Sequence, residues 1–277
     1  MYSGMYLTKH TGKILGAHQK IDRIARKQLA NLLPDDVFPK SRDIVRFEGM
    51  KGPDSIKVKS PAKNEPWHYF KPFDDSDEKI LPIITEHYEL LVSHLKKANK
   101  ERAAFEAAWL AHALVDGLTP AHQYPLEEKM SELRGGAGLE SRTTYKDKLI
   151  MPGNSVREKM ANNWKMWGAK GLFNAHIMFE MGVAMLILPL KFGDVSLEKD
   201  FLEKAKKLGV VGLFEQIAKE VGALEMYDTY LKRGWTSKLA IQVRNKLMPQ
   251  LVTMVTAAWY LAAQEAGLAE PMKQVTA

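Results

Sequence analysis

No stretch of five or more residues in this chain alternates convincingly between apolar and polar; apolar residues recur instead at intervals of three and four. A half-buried strand needs a period of two and an amphipathic helix one near 3.6, so the pattern specifies an all-α protein. Residues 12–33, ended by Pro34, place Ile14, His18, Ile21, Ala25 and Leu32 on one stripe, with Lys13, Lys20, Arg23 and Lys27 mostly on the other. Residues 77–98, with Ser76 as cap, turn Ile84, His87, Leu91 and Leu95 inward, and residues 100–116 form the next helix. Ser155-Val156-Arg157-Glu158 reads as a capping box opening a helix that carries Trp164, Trp167, Phe173, His176, Phe179 and Glu180. Helices are then expected over 196–208, 211–221, 224–232 and 236–266, the last kinked at Pro249. Segments 34–75 and 127–152 are rich in Pro, Gly and charge and read as irregular. Arg134-Gly135-Gly136-Ala137-Gly138 follows no strand and lacks the Lys-Ser/Thr of a phosphate loop, so it reads as a surface loop.

Within this helical frame one stretch is out of place: Ala111-His112-Ala113-Leu114-Val115-Asp116-Gly117-Leu118-Thr119-Pro120-Ala121-His122. His112 and Asp116 are four apart, which puts their Cβ atoms on one helix face roughly 5–6 Å from each other. Phe105, Ala108, Trp109 and Val115 share that face, so it is the apolar one. An imidazole and a carboxylate turned into a core need partners, because unpaired buried polar groups cost about 2–7 kcal/mol. A metal ion is one such partner. His176 and Glu180 repeat the same spacing in equally apolar surroundings. Asp54 alone would be an ordinary turn residue, and His87 and His94 read as structural or surface histidines.

Composition limits the chemistry. There is no cysteine, so disulfides and thiolate sites are excluded and any metal must use His, Asp and Glu. The 277 residues can bury a substantial core and read as a single domain, 1–277. A formal charge of +7 suits an anionic partner such as phosphate, a lipid headgroup or nucleic acid, although no basic run is long enough to be a nucleic-acid arm. The opening residues, MYSGMYLTKHTGKIL, have neither the basic nor the apolar region of a signal peptide, so a cytoplasmic protein is expected as written; a longer N-terminus would leave export open. The most apolar run, 181–190, is too short to span a bilayer, and no transmembrane segment is expected.

His112-x3-Asp116-x3-Pro120-x-His122 resembles the signature of the zinc-dependent phospholipase C / P1 nuclease superfamily. The other elements follow in that family's order: His18 with Ile21, Arg23 and Ala25; Gly52-Pro53-Asp54; Trp67-His68-Tyr69-Phe70; and His176-x3-Glu180. The resemblance covers about residues 13–181, leaving 182–277 as helical scaffold. It implies a mainly helical domain with a cluster of about two to three Zn²⁺ ions at the base of a cleft. Carried over by position, His68, His112, Asp116 and Asp54 would hold one zinc; His122, His176 and Glu180 a second; and His18, with Asp116 as bridge, a third. The implied activity is hydrolysis of a phosphodiester, phospholipid or soluble, by a zinc-activated water, with Asp54 orienting or deprotonating that water. A P1-type single-strand nuclease or 3′-nucleotidase, or a zinc-binding protein without turnover, are the alternatives. Peripheral membrane contact would suit a lipid substrate. A di-iron bundle would need a pair of Glu-x-x-His motifs, of which the chain has only one (Glu65 and His68), and an HD-type phosphohydrolase an adjacent His-Asp, which it lacks.

Three departures from the family are visible. No Trp precedes His18 to supply the N-terminal amine the family gives its third zinc, and His10 is a further candidate ligand there. The segment between His122 and His176 is much longer than in the compact bacterial phospholipases. Ser55 and Glu65 stand where choline-selective members carry aromatics. Trp67, Tyr69 and Tyr124 are candidates for substrate contact.

Overall fold

The computed structural model describes residues 1, 16–49, 51–189 and 197–269, with Val58 as backbone only. Among the described residues every regular element is helical and there is no strand, as the periodicity requires. In chain order the helices are α1 (Ala17–Leu29), α2 (Ser41–Val45), α3 (Pro53–Lys59), α4 (Leu81–Lys96), α5 (Lys100–Leu118), α6 (Leu126–Leu133), α7 (Tyr145–Leu149), α8 (Val156–Trp167), α9 (Leu172–Ile187), α10 (Lys199–Gly222), α11 (Met226–Arg233), α12 (Ser237–Gln242) and α13 (Met248–Glu265). None is long and apolar enough to cross a membrane.

α5 and α13 form the centre. Alanines at 103, 104, 107, 108, 111 and 113 keep α5 slim, so α4, α1, α2, α10 and α13 all pack against it. α13 buries an unbroken run, Met254 to Ala263, and its Trp259 donates from Nε1 to the Ala107 carbonyl at 3.0 Å. That bond joins the two central helices through a fully buried indole.

Several boundaries differ from the sequence expectation for identifiable reasons. Segment 34–75 contains α2 and α3; α3 opens with Pro53 in its first turn and Asp54 beside it, both favourable at a helix N-terminus, but is too short to show a period. Ser76 does not cap α4. Its hydroxyl donates to Asp74 Oδ1 at 2.6 Å, and α4 begins five residues on, with Pro82 in its first turn. Segment 127–152 contains α6 and α7: α6 ends at Gly135 and Gly136, both at positive φ, and Thr144 forms a capping box with Asp147 ahead of α7. The single helix expected after Ser155 breaks between Gly168 and Gly171 into α8 and α9. Conversely, 196–208 and 211–221 join in α10 across a kink at Gly209, φ 69°. The chain before Pro249 relaxes into a π-helical turn, Val243–Leu247, since a proline cannot donate to the carbonyl four residues back.

Candidate metal centre

The site is assembled from six segments. α1 supplies His18, α3 supplies Asp54 and Lys57, and the extended residues before Phe70 supply His68 and Tyr69. α5 supplies His112 and Asp116, the 3₁₀ turn Pro120–His122 supplies His122, and α9 supplies His176 and Glu180. The turn after α5 is tight because Thr119 N–H donates back to the Asp116 carbonyl at 2.8 Å and the Thr119 hydroxyl to the Val115 carbonyl at 2.7 Å. This folds His122 back until its Nδ1 is 3.6 Å from Asp116 Oδ2.

Asp116 is the hub. Its Oδ1 lies 3.1 Å from His18 Nε2 and its Oδ2 3.2 Å from His112 Nε2, so the two oxygens face different imidazoles. The His18 and His112 rings stack with centroids 4.0 Å apart. Asp54 Oδ1 is 3.7 Å from His112 Nε2. On the other side Glu180 Oε1 is 2.7 Å from His122 Nε2 and 3.2 Å from His176 Nε2. Ligand-capable atoms of Asp54, His112 and Asp116 lie within 4.8 Å of one another, as do those of His122, His176 and Glu180. His18 reaches Asp116, but His68 falls outside these groups: its Nδ1 donates to the Pro66 carbonyl at 3.0 Å, and its ring lies 5.0 Å from that of His122. His10 lies outside the described residues.

The ring orientations are fixed from behind. His122 Nδ1 donates to the His68 carbonyl at 3.0 Å, leaving Nε2 as the lone-pair atom aimed at Glu180. His112 Nδ1 lies 2.9 Å from Glu48 Oε2, and Glu48 is wholly buried. Glu48, His18 and His112 also form a group close enough to hold a metal. However, Glu48 meets His112 on the nitrogen opposite the one facing Asp54 and Asp116, so it is placed to orient that ring rather than to share its metal. Glu48 has no periodic neighbours to betray it in the sequence. Lys57 was missed because 53–59 was not read as a helix; one turn beyond Asp54, its Nζ lies 2.6 Å from Asp54 Oδ1. The Met1 amine also contacts Asp116 and lies 3.1 Å from Glu180 Oε1.

The electrostatics favour the protonation states that metal ligation needs. Burial lowers the pKa of His18, of His122 (to about 4) and, well below the usual range, of His68, so these rings are neutral at pH 7. Burial would raise Asp116 and Glu180, but the surrounding histidines and the Met1 ammonium hold both well below the ordinary carboxyl range. Burial likewise opposes ionisation of Asp54, and the Lys57 ammonium overcomes it. His112 is the exception: burial lowers it, yet Asp116, Glu48 and Asp54 together push it up to about 10, so three carboxylates draw a cation to this point. His112 Nε2 and Asp116 Oδ2 are both buried with no hydrogen bond. A divalent cation at these atoms would satisfy both, and an imidazole–carboxylate set without thiolate suits Zn²⁺. These buried His, Asp and Glu groups could hold a metal ion.

Asp54, His68, His122, His176 and Glu180 line a cavity of about 310 Å³ together with Lys57, Glu65, Tyr69, Glu127, Arg142 and Lys148, whereas His18, His112 and Asp116 are not among its lining residues. Lys148 pairs with Glu65, and Arg142 with Glu127. Of the three aromatics considered for substrate contact, only Tyr69 lines this cavity. Trp67 faces a separate small pocket with the Lys79 ammonium 4.4 Å over its ring, and Tyr124 packs edge-on against Tyr227. His87 is structural, bonded through Nδ1 to the buried Glu106 at 2.7 Å, and His94 sits half-buried on α4 away from the cavity. Compared with known proteins, the sequence matches no family model and no curated protein.

Proposed function

We propose that the protein is a zinc-dependent phosphodiesterase of the phospholipase C type. The observation that supports this best is the convergence of His18, His112, His122, His176, Asp54, Asp116 and Glu180, from four helices and a turn, into one cluster, of which Asp54, His122, His176 and Glu180 face the cavity. Asp54, His112 and Asp116 would hold one zinc, to which the resemblance adds His68, outside that group here; His122, His176 and Glu180 would hold a second, and His18 with the other oxygen of Asp116 a third. Bound zinc would supply Lewis acidity toward phosphoryl oxygens and lower the pKa of an attacking water.

The chain's own groups supply the rest. Asp54, kept ionised by Lys57, is a base at the cavity wall that can take the proton of the attacking water as its oxygen bonds to phosphorus. The ester bond to the leaving alcohol then breaks, and that oxygen recovers a proton from solvent. Lys57 and Arg142 line the same cavity and can orient non-bridging phosphate oxygens. Cations here, with Glu65 held by Lys148, favour the phosphate over a quaternary ammonium headgroup.

Elemental analysis of purified protein tests the site: about two to three zinc per chain, removable by chelator, are expected. Asp54→Asn should keep the fold and abolish hydrolysis of a chromogenic phosphodiester, a loss of about 100-fold or more for a missing general base. Activity surviving complete zinc removal would refute the reading. Cleavage of single-stranded nucleic acid or release of 3′-phosphate, with lipids untouched, would move it to the P1 type. Bound zinc without turnover on any phosphodiester would leave a metal-binding protein.

A further inference from the structure

The long segment between His122 and His176 builds α6, α7 and α8, and α8 packs on the molecule along one side only, through Asn163, Met166 and Trp167. Of its residues only Met166 is buried. Val156, Met160 and Trp164 are 79%, 70% and 73% exposed. They are four residues apart, so they form one apolar stripe along the helix. Tyr145 and Ile150 at the two ends of α7 are exposed as well, and on α9 so are Met178, Met181 and Met185. Single exposed apolar residues are commonplace, but three in register on one helix face form a contiguous apolar stripe of the kind that marks an interaction surface.

The surrounding charge identifies that partner. Lys146, Arg157, Lys159, Lys165 and Lys170 are exposed on and beside α7 and α8, and Glu158 is the only exposed acid among residues 145–170. A basic helix with Trp and Met on its free face is suited to an anionic bilayer surface, where the indole sits at headgroup depth and the cations meet lipid phosphates. The placement agrees: α7, α8 and α9 also supply Tyr145, Leu149, Met166, Phe173 and Ile177 to the rim and wall of the cavity. We propose that α8, with the end of α7 that Trp167 and Asn163 hold against it, is a membrane-docking surface that seats the cavity mouth on anionic lipid. That the docked lipid is also the substrate rests on the phosphodiesterase reading; the docking itself does not.

The test is co-sedimentation of the full chain with vesicles of phosphatidylcholine containing phosphatidylserine, and of phosphatidylcholine alone, with zinc-loaded and chelator-treated protein. Binding to the mixed vesicles, weakened by salt, is expected. M160S/W164A should reduce partitioning by about tenfold or more, since both side chains enter the interface. K159Q/K165Q should weaken binding to the serine-containing vesicles only. Both double variants should keep the parent's thermal midpoint and its hydrolysis of a soluble phosphodiester, because these residues are exposed and outside the cavity. Failure of the parent to bind vesicles, or undiminished binding by M160S/W164A, overturns the proposal. So does a concentration-dependent dimer abolished by M160S/W164A, which would make a second copy the occupant. Lipid binding that follows the variants without any phosphodiester hydrolysis would sink the enzyme reading and leave the docking surface standing.

Discussion

Replacing Glu48 separates a residue that holds a metal from one that aims its ligand. Glu48 Oε2 lies 2.9 Å from His112 Nδ1 with no exposed surface, and His112 turns its other nitrogen to Asp54 and Asp116. A carboxylate behind a ligating imidazole fixes its rotation and raises its basicity, and losing one typically weakens metal binding by about 10–100-fold, or about 1.4–2.7 kcal/mol. Glu48→Gln retains the shape and an oxygen that can accept from Nδ1–H, so it should fall near the lower end. Glu48→Ala removes the acceptor and should fall near the upper end. In the metal-free protein it should also cost about 1–3 kcal/mol of stability, because a buried N–H loses its partner. Competition against a chromophoric zinc chelator reads the affinity, and urea unfolding of the chelated protein reads the stability. An orienting role predicts weaker binding at unchanged stoichiometry. Loss of a whole metal equivalent in both variants would make Glu48 a ligand, and undiminished affinity in Glu48→Ala would refute the reasoning altogether.

Two further changes test the framework around the site. Asp22 is fully buried, both its oxygens lack hydrogen bonds, and burial followed by Glu48 raises its pKa well above 3.8 against the opposing pull of His112 and Arg23. An acid whose folded pKa is raised loses stability as pH climbs from its unfolded value toward its folded one. Asp22→Asn should therefore gain on the parent with increasing pH in urea melts from mildly acidic to neutral, and a pH-independent difference would contradict this protonation. Gly117, next to the hub Asp116, has no room for a methyl group: a Cβ there would lie 2.6 Å from Phe214 Cζ and 3.0 Å from Ile80 Cδ1. Gly117→Ala should destabilise by about 1–2 kcal/mol in spite of the better helix propensity of alanine, since ring and isoleucine are both buried. A stabilised variant would show that the core yields there.

The helical class and the inward pairs His112/Asp116 and His176/Glu180 were legible in the sequence, because a helix is local: residues four apart share a face whatever surrounds them. The helix expected over 100–116 was legible for the same reason, and α5 ends two residues beyond that, at Leu118. What the sequence by itself could not place depends on approach between distant segments. Glu48, in an aperiodic stretch, acquires its meaning only because α5 brings His112 alongside it, and Lys57 because a short helix turns it onto Asp54. Trp67 and Tyr124 are as aromatic as Tyr69, yet only packing decides which of them faces the cavity. The exposed stripe of α8 is the converse case. Its four-residue spacing is written in the chain, but the same spacing would serve a buried helix equally well. Only the absence of described neighbours over Val156, Met160 and Trp164 turns it into a surface.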